Sequence, residues 1–469
     1  MIHGIETCLL AAVVAALGVL SAGSGCVAAE PLRLHPQNPH YFLFRGEPAV
    51  LITSGEHYGA VLNLDFDYVR YLDEIQSRGL NLTRTFSGVY REIPGSFGIT
   101  GNTLAPLPNR FTCPWARSAT PGYFDGSNKF DLAKWDEAYF ARLKDFLAQA
   151  SKRGIVVELV LFCPLYDDAL WKASPMNVAN NTSGVGDLKK DEAHTLKNGR
   201  LLEFQVAVAK KLVAEVSAFD NVYFEICNEP YFGGVTLEWQ KKIAEAIVET
   251  EAGLPNKHLI AQNIANGSSK ISNPNPAVSI FNFHYCSPPD AVAMNYGLGR
   301  VIADDETGFK GSADAPYRPD AWDFLIAGGA VYSNLDYSFR RDNADGTAEP
   351  KAPGGGGVNL RKALAALKAF IEGFDFVRMA PDNSVIKGGI PAKATARALV
   401  EPGKQYAIFL RGAKQADLVV DLPAGSYKAE WVNTLTGAVE KAERLHHTGG
   451  PKTFSSPPCP DEIALRIVR

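Results

Sequence analysis

Eight times between residues 48 and 374 a short run of β-branched and aromatic residues is followed by a connection, and six of those connections carry a helical period. The runs are 48–54, 80–86, 154–162, 221–227, 258–262, 278–284, 300–304 and 330–335. Helical patterns follow at 66–78, 135–153, 199–219, 237–251, 319–327 and 359–374, whereas the fifth and sixth runs have short crossovers. Strands alternating with helices call for a parallel sheet. Eight such units in about 330 residues suit a closed (β/α)8 barrel better than an open sheet. An open doubly wound sheet would place a glycine-rich phosphate turn after its first strand, and Thr53-Ser54-Gly55-Glu56-His57 is not one. The glycines at 354–357 follow the eighth strand and read as a flexible loop.

After about Met379 the texture changes to short alternating runs, at 394–400, 405–410, 417–422, 426–432 and 462–468, separated by Pro- and Gly-containing turns. That predicts a small all-β sandwich. The fold class expected is therefore α/β, a (β/α)8 TIM barrel over 30–378 followed by a β-sandwich over 379–469. Residues 8–20 form an apolar run of 13, followed by small residues ending at Ala29. The run is shorter than the ~20 residues a bilayer needs and reads as a secretory signal peptide over 1–29, although no Lys or Arg precedes it. The chain is thus expected to be secreted or periplasmic, with no membrane span. Five cysteines remain beyond it, Cys113, Cys163, Cys227, Cys286 and Cys459, an odd number that suits buried thiols rather than a disulfide frame. With 47 basic against 51 acidic residues and no basic block, no nucleic-acid partner is expected.

In a barrel of this kind chemistry sits at the carboxyl ends of the strands. Strand four ends in Asn228-Glu229-Pro230, strand seven in Asp304-Asp305-Glu306, strand six in His284-Tyr285, and strand one in Glu56-His57; strand two carries Arg84. Strands four and seven face each other across the ring, so Glu229 and Glu306 can address one bond. A spacing of ~5–5.5 Å suits a retaining double displacement, and ~6.5–9.5 Å an inverting one. In that reading Glu306 is the nucleophile, kept ionised by Arg84 and Tyr285. Glu229 is the acid/base, its pKa raised by apolar surroundings and by the charge on Glu306. Asn228 would donate to a sugar 2-hydroxyl. Glu158 and Glu225, within strands three and four, read as core charges.

The string FEICNEP (224–230), the pair His284-Tyr285, and a strand-seven glutamate with glycine two residues on resemble the clan A glycoside hydrolases near family 5. The likeness covers roughly residues 34–375 and includes the opening HPQNPHYFLFRGEPAVLI (35–52) and strand-two residues 81–86. It implies Glu229 as acid/base with Asn228 as its partner, Glu306 as nucleophile supported by Tyr285 and Arg84, and His284 nearby. It also implies a carbohydrate substrate and no cofactor. The tail around Trp431-Val432-Asn433-Thr434 resembles the sandwich often attached to such barrels. Family 5 usually has a tryptophan just after strand eight, where this chain has Tyr332-Ser333-Asn334. Tyr332 is therefore expected at the sugar site, with His57 lining it.

The connections at 87–132 and 163–198 far exceed the usual βα loop. They carry Tyr90, Arg91, Trp115, Arg117, Tyr123, Phe124, Tyr166 and Trp171, of which Trp171 is the expected sugar platform, and they should wall the barrel mouth. Two other classes compete with a glycosidase. One is a carbohydrate-binding barrel without catalysis. The other is a metal-dependent hydrolase, which would want clustered His ligands at strand ends that the sequence does not offer; no metal site is expected.

Overall fold

The computed structural model describes Met1 and residues 30–351 and 353–469; the remainder of the expected leader lies outside the described residues. Eight parallel strands form the barrel: β1 (Leu51–Gly55), β2 (Leu82–Phe86), β3 (Val156–Phe162), β4 (Val222–Cys227), β5 (Ile260–Asn266), β6 (Ile280–His284), β7 (Val301–Thr307) and β8 (Val331–Leu335). They are ordered β1-β8-β7-β6-β5-β4-β3-β2. Every residue of β1 to β4 and β6 to β8 is buried, as expected for strands covered on both faces.

No strand ladder joins β1 to β2. One side chain closes that seam instead. Asn81 Oδ1 accepts from the Ile52 N–H (3.0 Å) and its Nδ2 donates to the Val50 carbonyl (2.8 Å). A carboxamide carries one acceptor and two donors, so it can stand in for a backbone pair. Higher up, the Phe86 N–H donates to the Tyr58 carbonyl (2.9 Å).

The helices cover the strands through repeating apolar faces. The helix Glu137–Lys152 buries Tyr139, Phe140, Leu143, Phe146, Leu147 and Ala150, and Asp136 caps it by accepting from the Ala138 and Tyr139 N–H groups. A short helix, Asp290–Asn295, lies in the crossover after β6. Strands five and seven run further than their apolar patterns, because their last turns are polar side chains that face the site. The 87–132 connection is not merely a loop: Trp115–Pro121 pairs with Asn128–Trp135 as a hairpin, with the Arg117 guanidinium 3.9 Å from the Phe130 ring centre.

From Ala380 the chain is all β. A six-stranded antiparallel sheet faces a three-stranded one made of Ile386–Gly388, Asp417–Leu422 and Gly450–Ser455. Alternation along Gln405–Arg411 divides its work. Ile408 and Leu410 enter the sandwich core with Leu418, Val420 and Trp431, whereas Ala407 and Phe409 join the barrel core. Phe409 stacks on Trp322 at 5.7 Å. Around that contact Arg397 pairs with Asp323 (2.7 Å), Arg411 with Asp320 (2.8 Å) and Arg318 with Glu462 (2.5 Å). The tail therefore braces the barrel, and Trp431 is core.

One sequence reading changes here and another holds. The glycine run is tight rather than flexible: a Cβ at Gly354 would lie 2.1 Å from the Tyr337 ring, and one at Gly356 2.2 Å from the Asp336 carboxylate. The five cysteines are all free, as read, and four are buried.

Candidate active site

The site stands on a buried polar floor. Arg84 of β2 donates through Nη2 to Glu225 Oε2 (2.5 Å) and through Nη1 to Glu306 Oε2 (3.0 Å). Its Nε lies 3.3 Å from Asp305 and 3.7 Å from Glu158. Asn282 of β6 binds from the other side, donating to Glu158 (2.7 Å) and Asp305 (2.8 Å). Tyr223 donates to the second Glu158 oxygen (2.9 Å). Four carboxyl groups thus share one guanidinium, and burying unpaired carboxylates is expensive. Burial pushes Glu158 up to about 8, helped by the neighbouring Glu225 charge and opposed by Arg84. Burial likewise lifts Asp305 well above the ordinary carboxylate range, against the pull of Arg84. Both shifts favour the neutral acid.

A strand alternates, so Asp305 and Glu306 should not both face inward. They do because β7 bulges there. Phe283 pairs with Asp304, but His284 pairs with Glu306, one residue out of step. The bulge gives Asp305 to the floor and Glu306 to the mouth.

Glu306 is held by three donors: Arg84, the Tyr58 hydroxyl on Oε2 (3.2 Å) and the Tyr285 hydroxyl on Oε1 (2.5 Å). Glu229 accepts from Tyr166 on Oε2 (2.5 Å) and from Tyr231 on Oε1 (3.2 Å). Asn228 joins the two sets. Its Oδ1 accepts from Arg84 (2.8 Å) and its Nδ2 donates to the Tyr166 hydroxyl (2.9 Å). An unbroken hydrogen-bonded chain runs from Glu306 through Arg84, Asn228 and Tyr166 to Glu229. His284 lies beneath, Nδ1 at 3.4 Å from Glu229 and 3.7 Å from Glu306. One oxygen of each glutamate and a His284 nitrogen all lie within 4.8 Å of one another.

Above them opens a cavity of ≈ 260 Å³ lined by Glu229, Glu306, Asn228, Tyr58, Tyr166 and His57 among others. At ~30 Å³ per water that is about nine waters, the scale of one sugar ring rather than a chain. The backbone around it is strained. Of eight non-glycine residues with positive φ among those described, five line this cavity: Tyr58, Phe97, Glu229, Tyr285 and Phe309. Left-handed backbone in bulky residues costs ~1–3 kcal/mol each and clusters where function over-determines it.

Of the residues expected at the site, Glu229, Glu306, Asn228, Tyr285 and His57 line the cavity, with Arg84 and His284 directly below. Trp171 and Tyr332 do not reach it. Trp171 is buried in the loop wall, its indole donating to the Leu188 carbonyl (3.0 Å). Tyr332 is fully buried and donates to the Tyr317 carbonyl (2.8 Å), because alternation turns it outward towards a helix. Asn228 is in place, but its donors are directed to Tyr166 and the Cys163 sulfur (3.5 Å), not to the cavity. Glu56 turns away to accept from the Gly59 and Ala60 amides. Sequence reasoning missed Tyr58, Glu92, Tyr231, Asn266 and the role of Tyr166. Tyr58 directly follows His57 at a strand tip and could have been found; Asn266 ends β5 beyond its apolar pattern, and the others come from loops whose path the sequence does not reveal.

The expected raised pKa of Glu229 is overturned. Burial does push it up, but the hydrogen bond and charge of His284, with the Tyr166 hydroxyl, outweigh burial and hold it at about 2. At the far wall His57 has no hydrogen-bond partner on either ring nitrogen and lies 3.6 Å from Glu92. Burial pulls its pKa down, yet the Glu92 carboxylate outweighs that and raises it.

With this geometry in view, the comparisons with known proteins are specific. No family model matches the chain, and no curated protein does. Among solved structures it is similar to a candidate glycoside hydrolase from Bacteroides vulgatus (TM-score 0.65, 16% identity, covering 94% of this chain and 82% of that one). It is also similar to a family 5 glycoside hydrolase from the same organism (TM-score 0.64, 15% identity, 93% of each chain). A further glycoside hydrolase matches with a TM-score of 0.61 at 15% identity, over 94% of this chain and 97% of that one. The fold is that of these glycoside hydrolases.

Within that glycoside hydrolase fold, two acid clusters have the spacing for a cation: Glu229–His284–Glu306 and Glu158–Glu225–Asp305. Both already hold proton-bearing groups. Tyr285, Tyr58 and Arg84 point at the first, and Arg84 and Asn282 fill the second. A metal would have to displace the donors that order them. Among the described residues no helix is long and apolar enough to cross a membrane.

Proposed function

We infer that this chain is a glycoside hydrolase that cleaves its substrate with retention, Glu306 as nucleophile and Glu229 as acid/base. The observation that carries the reading is the approach of the two carboxylates, with oxygens within 4.8 Å of each other at the mouth of one cavity. That supports the ~5–5.5 Å class, in which the second carboxylate attacks carbon directly, over the class that leaves room for a water.

The roles follow from the hydrogen bonds. Oε2 of Glu306 carries Arg84 and Tyr58, whereas Oε1 carries Tyr285 alone and keeps the freer lone pair for the anomeric carbon. Bound substrate removes water from around Glu229 and favours its neutral form, and Glu229 gives that proton to the leaving oxygen as the bond breaks. In the second half Glu229 takes a proton from water, which attacks the glycosyl–Glu306 ester. His57, buried and without a hydrogen-bond partner on either ring nitrogen, supplies a donor or an acceptor for a hydroxyl of the sugar ring.

The test is a panel of aryl glycosides and plant and algal polysaccharides, with proton NMR of the first-formed anomer. Retention is expected. Replacing Glu306 by Gln should abolish turnover without unfolding the chain. Undiminished turnover in Glu306→Gln, or an inverted first product, would remove the mechanism.

A further inference from the structure

The two sides of the cavity differ in kind. On the Glu306 side the wall offers His57, unmatched at both ring nitrogens, and Glu92, which accepts from Tyr90 and Asn102. On the Glu229 side it offers phenylalanine. Phe97 and Phe232, each 44% exposed, both pack against Tyr166, with ring centres at 5.3 and 5.9 Å. Tyr166 is the residue that donates to Glu229. Across the mouth Phe309, 45% exposed, packs edge-on against Tyr285, which donates to Glu306. Near Phe232 the one proton of the Tyr231 hydroxyl is shared between Asn266 Oδ1 and Glu229 Oε1.

These rings carry two uncompensated costs. Their apolar surface faces water, and Phe97 and Phe309 are held at φ 53° and 58°, where a bulky side chain is disfavoured. Neither cost is offset by packing within the chain. A bound group that covers the rings would offset the first and explain the second.

We propose that the leaving-group side of this cavity is built for an apolar aglycone, an alkyl or aryl group, rather than for a second sugar. This rests on the glycosidase reading. The leaving group departs from the side of the acid, and there the cavity presents Phe97 and Phe232, with the Asn266 carboxamide as the polar side chain beside them. A sugar in that place would lose the hydration of its hydroxyls with few partners in return. An apolar group would seal the mouth. In the drier site the neutral form of Glu229 is favoured, which is the form that protonates the leaving oxygen.

The experiment uses the full chain and, for the glycone identified by the aryl panel, its methyl, butyl and octyl glycosides and its disaccharide. The leaving-group basicity of the alkyl series is nearly constant, so its trend reads apolar contact. kcat/KM should rise at least about tenfold from methyl to octyl, and the octyl glycoside should exceed the disaccharide. Phe97→Gly and Phe232→Ala should reduce that rise to within about threefold. Phe97→Gly, which relieves the left-handed strain, should melt at or above the wild-type temperature, a combination that a merely structural ring would not give. A flat alkyl series, a preference for the disaccharide, or a Phe97→Gly variant that melts lower would overturn the proposal. A panel with no turnover of any glycoside would instead sink the glycosidase reading itself.

Discussion

Replacing Glu158 by Gln should make the protein more stable, and more so as the pH rises. Glu158 is fully buried, accepts from Asn282 and Tyr223, and lies against Glu225. In the folded chain its pKa is pushed up to about 8, from an ordinary value of 4.5. The sign follows from proton linkage. Between those two values the folded state holds a proton that the unfolded state releases, so stability falls as pH rises through the window. At ~1.4 kcal/mol per pKa unit, a displacement of this size costs about 5 kcal/mol by pH 8 relative to pH 4. Glutamine has the shape of the neutral acid, accepts from Asn282 through its one oxygen, can donate through its amide nitrogen to Glu225 and to a turned Tyr223 hydroxyl, and has no proton to lose. The two proteins should therefore melt together near pH 4.5 and diverge above it. At about 2 °C per kcal/mol for a large domain, the variant should lead by several degrees at pH 8. The assay is thermal unfolding followed by circular dichroism at intervals from pH 4.5 to 8.5. Equal slopes against pH, or a variant less stable at pH 7, would show that Glu158 is an anion required to hold Arg84, and the proton count of the floor would be wrong.

Other outcomes follow from the same contacts. Arg84→Met leaves the floor without its guanidinium and should lose about 3–5 kcal/mol in denaturant unfolding, with activity lost; a variant of unchanged stability would refute the shared-cation reading. Tyr166→Phe removes a donor that favours ionised Glu229, so the Glu229 pKa should rise, read by carbon-13 NMR titration of its carboxyl. A downward shift would contradict the assignment. Prolonged treatment with EDTA should leave turnover unchanged, since protein donors occupy both acid clusters; loss restored by a divalent cation would favour a metal enzyme. Export of the chain should leave Glu30 as the first residue, read by N-terminal sequencing of the mature protein.

Much of the scaffold was legible because it is periodic. Strand and helix patterns repeat at 2 and 3.6 residues, so all eight barrel strands could be located to within a few positions, and the acids at the tips of β4 and β7 could be placed on one rim. Glu229, Glu306 and Arg84 were recognisable because charged groups at strand ends have little packing purpose. The departures share a cause. Tyr332 was expected at the sugar site by its place after strand eight, but side-chain direction at a strand end depends on local register. Trp171 was expected there by residue type, but its loop folds the indole into the wall.

The sequence by itself determined the order of elements, the all-β tail and the rim on which chemistry would sit, because these depend on local pattern alone. Only the tertiary structure decided the rest. The β7 bulge sends Asp305 down and Glu306 up. The carboxamide of Asn81 closes a seam that no ladder spans. His284, beside Glu229, inverts the direction of its pKa. Each of these turns on distances of a few ångströms between residues far apart in the chain, and on how much water reaches them. Electrostatic energy scales with both, and neither is written in the periodicity of a sequence.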